Sequence, residues 1–168
     1  IEAFIGNTRT PETKKMSMEA TRLIVKSIKT CYHDPKNEEA RKDMLYASHY
    51  AGIAFTKAYV GYVHAIAHTL GGKYNIPHGL ANAVILPIML EEYGECIYSK
   101  IKNLAFEAHL VSYKDDEEVA FKKFVDWIYK TNKEMQIPKN FKEIQIEDID
   151  ELVELAKTND LLFATGPA

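Results

Sequence analysis

Two cysteines stand in 168 residues, Cys31 and Cys96. They lie far apart and match no zinc or redox spacing, so no disulfide scaffold is built from them. Their scarcity points to a reducing compartment, and a cytoplasmic location is the expectation. Charge of one sign is also missing: Lys and Arg total 21 against 24 Asp and Glu, a net charge of -3. No basic stripe marks a nucleic-acid partner and no polybasic run marks an anionic membrane. The longest apolar run, "LANAVILPIML", is too short to cross a bilayer and carries Pro87. No signal peptide, internal repeat or low-complexity linker is visible. Period-two alternation is nearly absent, so a sheet is not expected. No HExxH or DxxxH pattern occurs, and the acidic run Asp115 to Glu118 lacks the spacing and the glycine of a calcium-binding loop.

What remains is a chain that is 46% hydrophobic and 27% charged, long enough for one helical domain with a real core. The opening "IEAFIGNTRTPETKK" reads as a helix tail followed by a loop. Ser17 reads as the N-cap of a helix whose apolar stripe is Ala20, Leu23, Ile24, Ser27, Ile28 and Cys31, ended by "HDPKN". A second helix begins near Glu38. Its small residues Ala47, Ala51, Gly52 and Ala54 suggest close packing on several sides and a central position. "VHAIAHTLGG" reads as a short helix stopped by Gly71-Gly72. "HGLANAVILPIMLEEYG" is a largely buried helix in which Pro87 makes a kink or a boundary, with Gly94 as its stop. Helical patterns follow at "CIYSKIKNLAFEAHL", "DDEEVAFKKFVDWIYKTNKEM" and "IEDIDELVELAKTND". In the second of these, Val119, Phe121, Phe124, Val125, Ile128 and Tyr129 form the apolar face. "LLFATGPA" is expected to form no element. The fold class is all-α, a bundle-like set of six to eight helices spanning residues 1–168 as a single domain.

Three of the six histidines fall within "GYVHAIAHTLGGKYNIPHG". His64 and His68 are four apart on a helical pattern and share a face. His78 opens the next helix after a glycine turn and a loop, which can return it opposite His64. Neutral imidazoles converging from two segments suit a metal ion. Buried hydrogen bonding or a helix surface explains such a pair as well, and the residues alone leave both readings open. Tyr59, Tyr62 and Tyr74 flank the cluster as pocket-lining or packing side chains. The other histidines read as structural: His33 in a turn, His49 in the interior, His109 near a helix end.

The stretch "GIAFTKAYVGYVHAIAHTLGGKYNIPHGLANAVILP" closely resembles the C-terminal signature of the iron-containing (group III) alcohol dehydrogenases. The family pattern G-x-x-H-x-x-A-H-x-x-G, followed by P-H-G-x-x-N-A, is matched at Gly61, His64, Ala67, His68, Gly71, Pro77, His78, Gly79, Asn82 and Ala83. Weaker resemblance runs from "IEAF" to near Asp160. The resemblance implies an all-helical C-terminal domain that follows an NAD(P)-binding α/β domain. It implies metal ligation by His64 and His78, a place for His68 beside the nicotinamide and substrate with a part in the reaction, and a place for Phe55 bordering that pocket.

Ferrous iron is the implied ion, with zinc as the alternative. The family's other two ligands belong to a motif D-A-L-x-H-A-I-E-A, and aligning it with "IEAF" puts Ile1 two residues after its histidine. The chain, which begins with Ile and not Met, is thus expected to be processed or a piece of a longer protein, with both ligands upstream. Near its other end, "ATGPA" falls close to an N-P-R-like segment of the family. The implied activity of the intact protein is hydride transfer between a small primary alcohol or aldehyde and NAD(P), in a homo-oligomer, and the isolated chain is expected to be inactive. The rival readings are a glycerol dehydrogenase-like or dehydroquinate synthase-like relative, and a non-catalytic helical metal-binding or interaction domain.

Overall fold

In the computed structural model, residues 1–163 are described, with side chains through Thr158. The chain starts in a short helix, α1 (Glu2–Ile5), buried along its whole length. Thr10 then opens α2 (Pro11–His33): its Oγ1 accepts from the Thr13 amide at 3.2 Å, and its own amide donates to Thr13 Oγ1 at 2.8 Å. This reciprocal cap, with Pro11 at the first helical position, satisfies otherwise orphaned amides. The N-cap is therefore Thr10 and not Ser17, which lies inside α2, buried, with its hydroxyl unpartnered. The apolar stripe begins well after the helix does, which is why pattern alone started it late.

Asn37 caps α3 (Glu38–Ala58) by accepting from the Ala40 amide at 3.0 Å. The expectation that α3 is central is wrong. Only Ala40, Ala47, Ala54 and Ala58 are buried, whereas Leu45 and Tyr46 are exposed and His49 lies on the surface, not in the interior. Alanines at this spacing make one flat face, and that face lies on α2.

After a corner at Tyr59, α4 (Tyr62–Tyr74) runs through Gly71 and Gly72 and stops at Asn75, whose φ of 54° and ψ of 31° are left-handed. The helical glycines do not terminate it; the residue that adopts the left-handed cap does. The central helix is α5 (His78–Tyr93). One side of it contributes Leu90 to a core with Phe4, Ile97, Ile101 and Phe124, and another contributes Ala81 and Ile85 to a core with Val63 and Leu70. Pro87 does not divide it. The proline has no amide to donate to the Ala83 carbonyl, and Asn132 Nδ2 donates to that carbonyl at 2.6 Å.

A 3-10 turn at Gly94–Ile97 leads into α6 (Tyr98–Glu107). Asp116 caps α7 (Glu117–Glu134) through the Val119 amide at 2.7 Å, which makes the acidic run a helix start. Val119 and Tyr129 are more exposed than the expected apolar face implies, and Ala120 and Thr131 are buried in α7 with the rest of that face. Helix α8 (Ile149–Phe163) packs on α4. The expectation that "LLFATGPA" forms no element is corrected for residues 161–163, which belong to α8. Residues 164–168, which carry the N-P-R-like position, lie outside the described residues. Among the described residues there is no strand, and no helix is long and apolar enough to cross a membrane.

Candidate functional site

Helix α4 has no cap from its own sequence. Its first amides point at the carboxylate of Glu2, delivered by α1: Oε1 accepts from the Gly61 amide at 3.0 Å and from the Val63 amide at 2.9 Å. A carboxylate there meets both the orphaned donors and the positive end of the helix. The other oxygen, Oε2, makes a short contact with His64 Nδ1. Glu2 is 7% exposed. Its helix is fixed at the far end by Lys100 Nζ, which donates to the Ile5 carbonyl at 2.9 Å, and by Arg9, which donates to the Gly6 carbonyl at 2.7 Å. Burial lowers the Lys100 ammonium pKa, with the nearby Arg9 charge adding to the effect. Gly61 makes room for this approach: a Cβ there would sit 3.0 Å from Glu2 Oε1. Just before it, Tyr59 holds φ 61° and ψ -174°, a region that side chains other than glycine normally avoid at a cost of about 1–3 kcal/mol.

His64 and His68 stand on one face of α4, with ring centroids 6.4 Å apart. The loop to α5 brings His78 within 5.4 Å of His64 and 4.7 Å of His68, again between centroids. The three histidines singled out in the sequence therefore form one cluster. Burial lowers the His78 pKa, and the neighbouring His68 and His64 add to that. The neutral ring is the form that accepts a metal or a proton. Asn82, one turn along α5, donates from Nδ2 to His78 Nε2 at 3.0 Å and to the His78 carbonyl at 2.9 Å. The Asn82 Oδ1 is buried and unpartnered.

Beside His64 lies an apolar cleft of about 410 Å³, walled by Ile1, Ile24, Phe55, Val63, Leu86 and Trp127. Phe55 is 47% exposed and shares this cleft with His64. Tyr59, Tyr62 and Tyr74 do not line it. Tyr74 instead donates to Asp148 at 2.6 Å, away from the cluster. Among the described residues, no group of three His, Cys, Asp or Glu side chains is placed to hold a metal ion unaided. The chemistry of the cluster fits part of a shell: imidazoles from two segments, one of them backed by a buried carboxylate. Sequence reading missed the roles of Glu2 and Asn82. The signal for Glu2 was a single charge inside the apolar run "IEAFI"; for Asn82 it was an amide four residues beyond His78 on one helix.

Comparison with known proteins gives a consistent answer. The model of the Fe-containing alcohol dehydrogenase family, C-terminal, matches residues 1–167. Alcohol dehydrogenase 4 of Saccharomyces cerevisiae is 37% identical over 169 residues, covering 99% of this chain and 43% of the relative. An NADPH-dependent butanol dehydrogenase of Clostridium saccharobutylicum is 32% identical over 148 residues, 88% of this chain and 37% of the relative. The crystal structure of a 1,3-propanediol oxidoreductase superposes with a TM-score of 0.93 at 32% identity, covering 99% of this chain and 44% of that one. The chain thus spans less than half the length of the proteins it matches.

Proposed function

The chain belongs to the iron-containing alcohol dehydrogenase family, matching its C-terminal region, and from that premise we propose that it is the helical, metal-binding part of an NAD(P)-dependent enzyme that interconverts a small primary alcohol and its aldehyde. The observation that carries this reading is the pairing of His64, backed by buried Glu2, with His78 across 5.4 Å at the edge of an apolar cleft.

In this proposal residues 1–168 act as one helical domain, and His64 and His78 supply two donors of the shell. The remaining donors and the nucleotide-binding domain come from the longer protein, upstream of Ile1. Imidazole donors accommodate Fe2+, and also Zn2+. When bound, the ion acts as a Lewis acid toward the alcohol oxygen. The chain's own groups do the rest. Phe55, Val63 and Leu86 hold the carbon chain of the substrate and keep water from the reacting carbon. His68, which is exposed, moves the hydroxyl proton to solvent. Phe55 and His68 together face the nicotinamide.

The test is His78→Ala in the intact protein. Metal content by elemental analysis should fall to a small fraction of the wild-type value and turnover with it, with the helical circular dichroism retained. Unchanged metal content would remove His78 from the site.

A further inference from the structure

We propose that Glu2 is a positioning residue which fixes the proton of His64 on Nδ1 and so leaves Nε2 as the nitrogen open to a ligand. The inference rests on the reading of His64 as a donor only for its purpose; its geometry stands alone. Glu2 is buried, and an ionised carboxylate accepts hydrogen bonds and donates none. Its two oxygens have divided tasks. Oε1 is committed to the Gly61 and Val63 amides. Oε2 faces His64 Nδ1. A ring nitrogen in that place must present its hydrogen, and in the neutral ring the lone pair then sits on the other nitrogen.

The carboxylate has little room to choose otherwise. Helix α1 is buried on both sides, Ala3 against Ala54 and Ala58, Phe4 and Ile5 in the main core. Lys100 and Arg9 hold its C-terminal carbonyls. The bare α-carbon of Gly61 leaves only enough space for Oε1 to reach the amides of α4. One carboxylate thereby sets both the N-terminus of α4 and the orientation of the imidazole one turn into it. A donor histidine whose ring and tautomer are already set loses less freedom on binding, which is why such outer partners typically change metal affinity about 10–100-fold when removed.

The substitution Glu2→Gln reverses the polarity at one oxygen and keeps the shape. The glutamine oxygen stays with the two amides, so its NH2 group faces His64 Nδ1 and drives the imidazole proton to Nε2. The experiment is long-range 1H–15N correlation NMR on the intact protein, histidine-labelled with 15N and stripped of metal, at a pH well above the ordinary imidazole pKa of about 6.5. The wild-type His64 should carry a proton on Nδ1, and the Glu2→Gln ring should show Nδ1 as the unprotonated nitrogen. A wild-type ring with unprotonated Nδ1, or a variant with unchanged His64 nitrogen shifts, would overturn the proposal. If Glu2→Gln fails to fold, the wild-type spectrum decides by itself.

Titration of Zn2+ into the intact protein then reads the consequence, a loss of about 10–100-fold in affinity for Glu2→Gln. The parallel variant His64→Ala separates the two readings. If it leaves Zn2+ affinity unchanged, His64 is no ligand and the reading under Proposed function fails, while the NMR result still stands or falls on its own.

Discussion

A methyl group at Gly61 would crowd the carboxylate with which Glu2 caps α4. A Cβ at this position would lie 3.0 Å from Glu2 Oε1 and 3.7 Å from the Tyr93 hydroxyl. Glu2 cannot yield cheaply, because both its oxygens are engaged and it is buried. Gly61→Ala is therefore expected to destabilise the chain by about 1–3 kcal/mol through overpacking and weakened bonds to the buried carboxylate. The check is a urea unfolding midpoint that falls with an unchanged slope. A midpoint equal to wild type would show that the carboxylate has room to move. Gly61 was visible in the sequence as part of a motif, but its reason was not. The residue it accommodates is far away in the chain, and no spacing rule joins positions 2 and 61.

At the scale of the element, helix α5 explains how a proline survives in the middle of a buried helix. The carbonyl that Pro87 leaves without a partner belongs to Ala83, next to Asn82 and one turn beyond His78. Asn132 of α7 occupies it at 2.6 Å. Asn132→Ala strands that carbonyl in a half-buried setting, and the expected cost is about 1–3 kcal/mol. Faster amide hydrogen exchange along α5 than in the rest of the core is the signature to seek; exchange slowed or unchanged there would mean that water replaces Asn132 without loss. Most elements were legible beforehand, since the start near Glu38, the acidic run that opens α7, the apolar stripes of α2 and α7 and the continuous apolar run of α5 are local signals. The misreadings have local causes too. Gly71 and Gly72 looked like a stop, yet glycine inside a packed helix costs only about 1 kcal/mol, which burial of Leu70 and Val63 can exceed. Helix α3 looked central because small residues permit contact on every side, and permission is not contact.

Over the whole molecule, the histidine helix is held between two others, and ion pairs are added on one side. On one side α4 meets α5 through Val63, Ala67, Leu70, Ala81 and Ile85. On the other, Leu152 of α8 packs against the same cluster, and charge is added to that packing: Lys73 pairs with Asp148 at 2.8 Å and with Glu151, and Tyr74 donates to Asp148. Lys73 and then Tyr74 lower the Asp148 carboxyl below its ordinary range. A lowered folded-state pKa means that this contribution is fully present above the unfolded aspartate value of about 3.9 and is lost as pH falls through the folded one. Acidification below about pH 4 should thus loosen α8 before the α5–α7 core, seen as early proteolysis or exchange in residues 149–158. Asp148→Asn should give that loosening at neutral pH and remove most of its pH dependence; an α8 equally protected at low pH would refute the clasp. By itself the sequence determined the helical class, most helix bounds, the grouping of His64, His68 and His78, and the family, because periodicity, caps and motif spacing act over a few residues. Only the tertiary structure decided that Glu2 stands behind His64, that Asn132 completes α5, that α5 and not α3 is central, and that Phe55 shares a cleft with His64. Those facts depend on which surfaces meet across tens of residues of chain, and that choice is made by packing and the pairing of buried polar groups, not by local preference.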